Sequence, residues 1–268
     1  MRSARALALC AGPSWRWLAV LLALLMTAAG ARAEDALLNV RSREGVSISY
    51  WWMPRPDAWA TVLLFSGGGG GIGLSSGQPR SGNFLIRSRD DFARAGLNVA
   101  LIGNPSDQRT ISPAWRRSAE HAADVRAIVE DIRGRSPAPV WLIGTSQGTI
   151  SAAAGAIALG PLVQGVVLTS TLSGAQPGGS VPDVALERLA VPVLVHQHRQ
   201  DSCRVTLPSM TRALMPRFTQ APVRRYMEVD GGTDPRGDPC EAFHWHGYIG
   251  MEAQAVQQLV DWMRQPVP

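Results

Sequence analysis

The stretch "VWLIGTSQGTISAAAGAIALG", residues 140–160, joins an apolar strand pattern to a helical pattern through a serine flanked by glycines. Gly144, Ser146 and Gly148 follow the spacing G-x-S-x-G. A serine held at a sharp turn from strand to helix leaves no room for side chains two positions before and after it, which explains both glycines. The motif predicts that Ser146 is an exposed nucleophile. An ordinary tight turn is the alternative.

Short apolar runs on both sides of this stretch alternate with helical patterns. Several runs are almost continuously apolar, which is typical of parallel strands covered on both faces. The predicted strands are residues 47–53, 61–67, 98–103, 139–144, 165–170, 191–197 and 224–230. This alternation predicts the α/β class, with right-handed crossovers and a mostly parallel sheet that carries helices on both faces. No linker, repeat or charge block divides residues 34–268, so we expect a single domain.

The segment "SPAWRRSAEHAADVRAIVEDIRG", residues 112–134, spaces its apolar residues at helical intervals. Ser112 and Pro113 favour a helix start, and Gly134 favours a helix end. We therefore predict an amphipathic helix over this whole segment. His121 is expected on its solvent-exposed surface.

Three arginines lie near the predicted start of that helix: Arg109, Arg116 and Arg117. The preceding span follows a predicted strand, where a substrate-facing loop is expected. The arginines either contact an anionic substrate there or are solvated at the helix start. The second interpretation is favoured.

The run "LLFSGGGGGIGL", residues 63–74, places six glycines directly after a predicted strand. Gly68, Gly70 and Gly73 fit G-x-G-x-x-G, the spacing of a dinucleotide-binding turn. That fold needs an acidic residue at the end of the next strand, roughly 20 residues on. Here the next predicted strand ends at Gly103 and is followed by an asparagine, so the nucleotide fingerprint fails.

The alternative role of the glycine run is to offer backbone N–H groups to an oxyanion. We expect the N–H of Gly68 to act in this way together with the N–H of Gln147. Gly67 and Gly69 are the next choices within the run.

A serine nucleophile needs a general base, and the base needs an acid that orients it. His246, in "FHWHGYIGMEAQAVQQLVDWM", precedes an amphipathic helix and can lie over the ends of the strands. Asp201, in "HRQDSC", follows the strand predicted at 191–197. The end of the strand at 165–170, the usual rival position for the acid, carries no carboxylate.

The chain order Ser146, Asp201, His246, together with the elbow and the "HGY" that begins at His246, resembles the α/β-hydrolase superfamily. The resemblance extends over roughly residues 45–265. It implies that Ser146 is the nucleophile and that His246 is first the general base and then the acid. It also implies that Asp201 orients the imidazole.

One departure from this pattern lies in the glycine run. Many members of the superfamily carry His-Gly where this chain has Ser66 and Gly67. Backbone N–H donation does not need that histidine, so we expect only the packing of the loop to differ. No long insertion follows the strand at 165–170, which predicts an open site without a large lid domain.

Residues 1–33 have the pattern of a secretory signal peptide, with early arginines, an apolar run at 17–29 and "ARA" ending at Ala33. The apolar run is shorter than the roughly 20 residues of a spanning helix, so an uncleaved anchor is the less favoured alternative. We expect a mature chain from near Glu34 that is exported to a periplasm or beyond. It would hold 22 basic and 21 acidic residues, a balance that does not indicate nucleic-acid binding.

The cysteines agree with export. Cys10 would leave with the signal peptide, and Cys203 and Cys240 would remain as a pair, for which a disulfide is the expectation and two unrelated thiols the alternative. Cys203 lies two residues after Asp201, and Cys240 lies six before His246. A bridge would therefore join the acid and base loops, either to preorganise their hydrogen bond or simply to stabilise the protein.

Three further histidines lie downstream of the serine elbow: His196, His198 and His244. With His246, Asp201 and the cysteines they offer an alternative zinc site. Their spacing fits no common zinc signature, and the elbow would then have no role. We expect them to line the pocket or to support the catalytic residues, and we predict no metal and no cofactor.

These features predict an exported serine hydrolase that cleaves a carboxylic ester or related acyl bond of a small substrate. A peptidase, a thioesterase or a lactone hydrolase with the same triad is the alternative among hydrolases. A non-catalytic binding protein on the same fold and a nucleotide-binding oxidoreductase are the alternatives from other classes.

Overall fold

The computed structural model of the chain describes residues 34–74 and 77–268. The predicted signal peptide, with Cys10, lies outside the described residues. Glu34–Pro268 form one unit. Across the described ranges, none of the helices combines the length and the apolar character that crossing a bilayer would need.

A single eight-stranded sheet, in the order β1-β2-β4-β3-β5-β6-β7-β8, forms the centre of this unit. The strands are β1 Ala36–Arg43, β2 Val46–Met53, β3 Ala60–Phe65, β4 Leu97–Pro105, β5 Val140–Ser146, β6 Gly165–Thr171, β7 Val193–His198 and β8 Arg224–Val229. Only the pairs β1·β2 and β2·β4 are antiparallel among the described strands. The other neighbours are parallel, so the predicted mostly parallel sheet is confirmed.

Helices cover both faces of the sheet. They are α1 Phe84–Arg87, α2 Arg89–Arg94, α3 Ala119–Arg135, α4 Gly148–Leu159, α5 Pro208–Arg212 and α6 Glu252–Arg264. Because successive side chains of a strand point to opposite faces, Leu63 belongs to the core under α3 and α4, whereas Val62 and Leu64 belong to the core under α1, α2 and α6.

The strand predictions and the structure differ mainly at β1, which the sequence did not indicate. Its side chains alternate between half-buried and exposed along most of its length. An edge strand that packs on one side only needs few apolar residues, so its sequence carries a weak strand signal. The segment after β6, residues 172–192, was the place considered for a lid domain. The helical structure described there consists of two single 3-10 turns, which fits the prediction that a large lid domain is absent.

The helix predicted over 112–134 begins later than expected, at Ala119. Ser118 is its N-cap, and the Ser118 hydroxyl accepts a hydrogen bond from the His121 N–H at 3.1 Å. The preceding residues, Trp115–Arg117, form a separate 3-10 turn. The predicted start was wrong because Ser118 has an extended backbone that interrupts the helix: Ser112 Oγ accepts from the Trp115 N–H at 3.1 Å and caps only the short turn.

The predicted surface position of His121 is also wrong. Only 2% of the residue is exposed, and its ring packs edge-on against Phe65 at 6.4 Å between ring centroids. With the helix starting at Ser118, His121 lies on the same face as Val125 and Ile128, which both belong to the core.

Candidate active site

The serine elbow lies where β5 passes into α4. Ser146 has a left-handed backbone, with φ of +54°, and its side chain remains half-buried. A Cβ on Gly148 would lie 2.1 Å from the Phe65 carbonyl oxygen, and one on Gly144 would lie 2.3 Å from the Gly148 carbonyl oxygen. Both glycines of the motif are therefore required by backbone approach, while Ser146 takes the strained position at the tip of the turn.

His246 and Asp201 meet next to this elbow although 45 residues separate them. The Nδ1 of His246 and the Oδ2 of Asp201 lie 3.1 Å apart. The His246 side chain is 7% exposed and the Asp201 side chain is fully buried. Asp201 follows β7, and His246 belongs to a single 3-10 turn before α6. With Nδ1 directed at the carboxylate, Nε2 is the nitrogen free to act as a base.

Several donors besides His246 fix the Asp201 carboxylate. Its Oδ1 accepts from the Cys203 N–H at 3.0 Å. Its Oδ2 accepts from Gln197 Nε2 and from Thr206 Oγ1, both at 2.9 Å. Thr206 Oγ1 also lies 3.1 Å from His246 Nδ1, so the threonine bridges the carboxylate and the imidazole. Sequence reasoning missed Gln197 and Thr206, because a neutral polar residue near an acidic loop carries no distinctive signal.

The loop that carries His246 is tied to the sheet and to the Asp201 loop. Ser170 Oγ, at the end of β6, donates to the His246 carbonyl oxygen at 2.7 Å. The predicted disulfide between Cys203 and Cys240 is present. It joins the loop after β7 to the segment before α6, so covalent and hydrogen-bonded links both hold the loop that carries His246.

Ser146 and His246 both line one cavity of about 420 Å³. Gly67 and Gly68 form another part of its wall, and Phe243 adds an apolar side chain. No hydrogen bond joins the Ser146 hydroxyl to the His246 ring within the described part of the chain. In unliganded enzymes such bonds are often long and tighten only when substrate binds.

The glycine run places backbone N–H groups beside Ser146. A Cβ on Gly67 would lie 3.0 Å from the Ser146 Cβ, so the loop is in contact with the serine. Gly68 has φ of +57° and open space around its Cα. Outside the regular strands and helices, no hydrogen bond among the described residues uses the N–H of Gly67 or Gly68. Gly69 instead lines a second cavity of about 640 Å³, as does Gln147, the N-cap residue of α4.

Arg116 lies behind the glycine run, which corrects both sequence interpretations of this residue. It is only 1% exposed, so it is neither solvated nor part of either cavity wall described above. Its Nη1 donates to Ser151 Oγ at 2.8 Å, and its Nη2 donates to the carbonyl oxygens of Ser66 at 3.2 Å and Gly68 at 3.0 Å. Its sequence neighbour Arg117 is exposed, as expected for a solvated residue.

Two of the three further histidines, His196 and His198, have hydrogen-bond partners near the site, whereas the buried Nδ1 of His244 has none among the described residues. His196 bonds to the Tyr248 hydroxyl at 3.1 Å and to Gln258 Oε1 at 3.0 Å, and burial lowers the pKa of His196 to about 4. His198 bonds to the Gly231 carbonyl at 3.0 Å. None of the three extra histidines lines the cavity of Ser146. Within residues 34–74 and 77–268, no group of three or more His, Cys, Asp or Glu side chains is arranged to hold a metal ion.

No protein-family model matches this sequence, and a search of curated protein sequences finds no match either. Solved structures do match. A dienelactone hydrolase from Anabaena variabilis superposes with a TM-score of 0.65 at 15% identity, over 88% of this chain and 100% of that chain. An esterase from Pyrococcus furiosus gives a TM-score of 0.62 at 13% identity, over 87% and 92% of the two chains. A serine hydrolase without a lid from Xanthomonas campestris gives 0.53 at 19% identity, over 85% and 95%.

Proposed function

Since the chain has the α/β-hydrolase fold, we propose that it is a serine hydrolase that cleaves a carboxylic ester or related acyl bond. A fold hosts many functions, so the proposal depends on the site. The observation that carries it is the strained Ser146 elbow, which shares one cavity with His246, and the His246 ring is paired with the buried Asp201. The signal pattern in residues 1–33 adds the proposal that the enzyme is exported.

In the proposed reaction, His246 Nε2 takes the hydroxyl proton while Ser146 Oγ attacks the substrate carbonyl carbon. The N–H groups of Gly68 and Gln147 hold the oxyanion that forms. The protonated His246 then gives its proton to the leaving group, which departs and leaves an acyl-enzyme. Water, deprotonated by His246, attacks this ester, and the departing Ser146 recovers the proton.

Asp201 supports these steps without exchanging a proton. Its Oδ2 accepts from His246 Nδ1, which fixes the tautomer that leaves Nε2 unprotonated and stabilises the imidazolium that forms. The cavity of about 420 Å³ suits a small substrate. A peptidase, a thioesterase and a lactone hydrolase remain the alternatives with the same triad.

A fluorophosphonate probe tests the proposal, because it reacts with activated serines. We expect peptide mass spectrometry to locate the label on Ser146, and Ser146→Ala to lose at least about 10⁴-fold in kcat on p-nitrophenyl esters. Ser209→Ala, an exposed serine outside the cavity wall, is the matched control. Labelling elsewhere, or wild-type turnover in Ser146→Ala, contradicts the proposal and favours a non-catalytic binding protein.

Substrate class is tested on the same preparation. Acyl esters of increasing chain length, a thioester, a lactone and an anilide are compared by kcat/KM. We expect the short esters to give the highest values. A higher value for the anilide, the thioester or the lactone would replace the ester assignment by the matching alternative.

A further inference from the structure

Arg116 is buried without a counter-ion. No carboxylate lies within salt-bridge distance of it among the described residues, and its Nε has no hydrogen-bond partner. Burial alone lowers the pKa of Arg116 to about 9. Arginine is almost never fully buried unless it is paired, because desolvating its charge costs free energy that only a partner recovers. An unpaired guanidinium in a core is therefore a poor device for stability.

The hydrogen bonds of this guanidinium determine how the glycine run is oriented. A peptide group is planar and trans, so the C=O of one residue and the N–H of the next point in opposite directions. Arg116 holds the Ser66 carbonyl, which turns the N–H of Gly67 away from the guanidinium. The Gly70 N–H holds the Gly67 carbonyl at 3.2 Å, which orients the N–H of Gly68. Arg116 then also holds the Gly68 carbonyl.

Without these donors the first peptide groups of the run would have little to fix them, because the Ile111 N–H and the Asn104 amide hold the carbonyl of Gly69 instead. Glycine populates positive and negative φ about equally, so peptide groups between glycines rotate easily. A rotated peptide would direct a carbonyl oxygen, instead of an N–H, toward the oxyanion. The Ser151 hydroxyl fixes the other side of the guanidinium to α4, the helix that follows the serine elbow. The loop and the nucleophile are thus positioned against one cation.

We propose that Arg116 is a positioning residue for the oxyanion site: it holds the carbonyls of Ser66 and Gly68, which belong to the peptide groups on either side of the Gly67–Gly68 peptide, and so keeps the Gly68 N–H facing the substrate. Its uncompensated charge, close behind the loop in a buried setting, also favours the negative charge that develops in the transition state. The inference rests on the proposed function, since an oxyanion loop has a role only in an acyl-transfer enzyme.

The neighbouring His121 belongs to the same arrangement. Both of its ring nitrogens lack partners, and burial, followed by the charges of Arg116 and Arg43, lowers its pKa to about 3. His121 is therefore a neutral ring beside Arg116. A carboxylate at that position would have neutralised the positive charge of Arg116. A carboxylate there would also compete for the guanidinium donors that now hold the glycine loop.

The test compares Arg116→Gln and Arg116→Lys with Arg117→Gln. Arg117 is the adjacent arginine, is exposed and donates to a backbone carbonyl, that of Gly178, at 3.0 Å, so it is a matched control outside the site. Active sites are titrated with the fluorophosphonate probe, and kcat and KM for a p-nitrophenyl ester are expressed per titrated site. A trifluoromethyl ketone, whose adduct with serine carries an oxyanion, reports on the oxyanion site directly. Melting temperature is recorded for each variant.

We expect Arg116→Gln to lose about 100-fold in kcat and a similar factor in affinity for the ketone, with KM changed by less than about 3-fold. Arg116→Lys keeps the charge but not the forked geometry, so it should recover part of the loss. Arg117→Gln should match the wild type. If Arg116→Gln does not fold, Arg116→Lys tests the inference in its place. We expect that variant to lose about 10-fold in kcat and in affinity for the ketone.

The inference would be overturned if the folded Arg116 variants had a lower melting temperature but kept kcat per titrated site within about 3-fold of the wild type. Arg116 would then have only a structural role. Equal losses in Arg117→Gln would overturn the inference as well. If the wild type itself is neither labelled nor active, the proposed function fails and the inference with it. A labelled, active wild type with unaffected Arg116 variants removes the inference alone.

Discussion

Two regions meet at Ser146, and they are held in opposite ways. On the side of the proposed acid and base, called the acid–base side below, the Asp201 carboxylate accepts hydrogen bonds from Gln197, Thr206 and the Cys203 N–H besides its contact with His246. A disulfide adds a covalent link between the two loops. On the glycine side, as far as residues 34–74 and 77–268 show, the buried Arg116 has no counter-ion, its Nε has no hydrogen-bond partner, and neither ring nitrogen of His121 is bonded.

This difference indicates how each region responds to change. Redundant hydrogen bonds share the work of positioning, so loss of one supporting contact leaves the others in place. On the glycine side one cation holds the carbonyls of both Ser66 and Gly68, and the Ile111 N–H and the Asn104 amide hold Gly69 instead. Supporting residues on the acid–base side are therefore expected to be individually replaceable, whereas the glycine side depends on single groups. Four predictions test this comparison.

The largest effect is expected for Asp201→Asn. The amide places an N–H₂ or a weaker acceptor opposite His246 Nδ1 and favours the wrong imidazole tautomer, which should lower kcat by about 10⁴-fold. Thr206→Val, which removes only one supporting donor, should cost about 10-fold or less. Steady-state kinetics on a p-nitrophenyl ester measures both. If Thr206→Val lowered kcat as much as Asp201→Asn does, the supporting hydrogen bonds on the acid–base side would not be redundant.

Next in size is the effect of the disulfide on stability. Replacing both Cys203 and Cys240 by serine opens a loop whose ends are 37 residues apart, which should lower the free energy of unfolding by about 4 kcal/mol on the chain-entropy estimate. Denaturant unfolding measures this loss. If the bridge also preorganises the acid and base, kcat should fall in the folded variant. The wild-type protein can also be reduced, with thiol titration to verify that the bridge is open. Unchanged turnover of this reduced protein would mean that the bridge only stabilises the fold.

A smaller effect is expected on the glycine side from Gly68→Ala, for which Gly45→Ala is a matched control. Both glycines have positive φ, +57° and +67°, and open space where a Cβ would lie, so each variant should lose about 1 kcal/mol of stability from backbone strain. Only Gly68→Ala should lower kcat, by about 10-fold, because relieving the strain redirects the N–H. Unchanged kcat in Gly68→Ala would move the assignment to Gly67, which also lines the cavity.

The smallest effect at neutral pH is expected for His121→Leu, whose free energy of unfolding should stay within about 1 kcal/mol of the wild type. Burial lowers the pKa of His121 to about 3 from an ordinary 6.5. Between these two values His121 is protonated in the unfolded chain but neutral in the folded protein. The free energy of unfolding therefore falls as the pH decreases through this window. His121→Leu should reduce that dependence by about one proton. Urea unfolding from pH 4 to 7 measures it, and equal slopes in both proteins would show that His121 is not a buried neutral base.

Much of the fold was predictable because strand and helix patterns are local. The seven strands predicted along the chain all occur, and the G-x-S-x-G spacing located the turn between β5 and α4. The glycines at 144 and 148 could be interpreted from sequence because backbone approach excludes every larger residue. The edge strand β1 was missed because a half-exposed strand has few apolar residues to mark it. The true start of α3 was missed because Ser112 and Ser118 are both possible helix caps, and the sequence does not distinguish them.

Local residue patterns were enough to infer the α/β class, the serine elbow, the pairing of the two cysteines and the candidates Ser146, Asp201 and His246. Only the tertiary structure brought Asp201 and His246 within hydrogen-bond distance, added Thr206 and Gln197 to them, and turned Arg116 inward behind the glycine run. Local patterns report propensity and periodicity, which act over a few residues. Whether an arginine faces water or holds a loop from within is decided by chain segments far away in sequence, which no local pattern records.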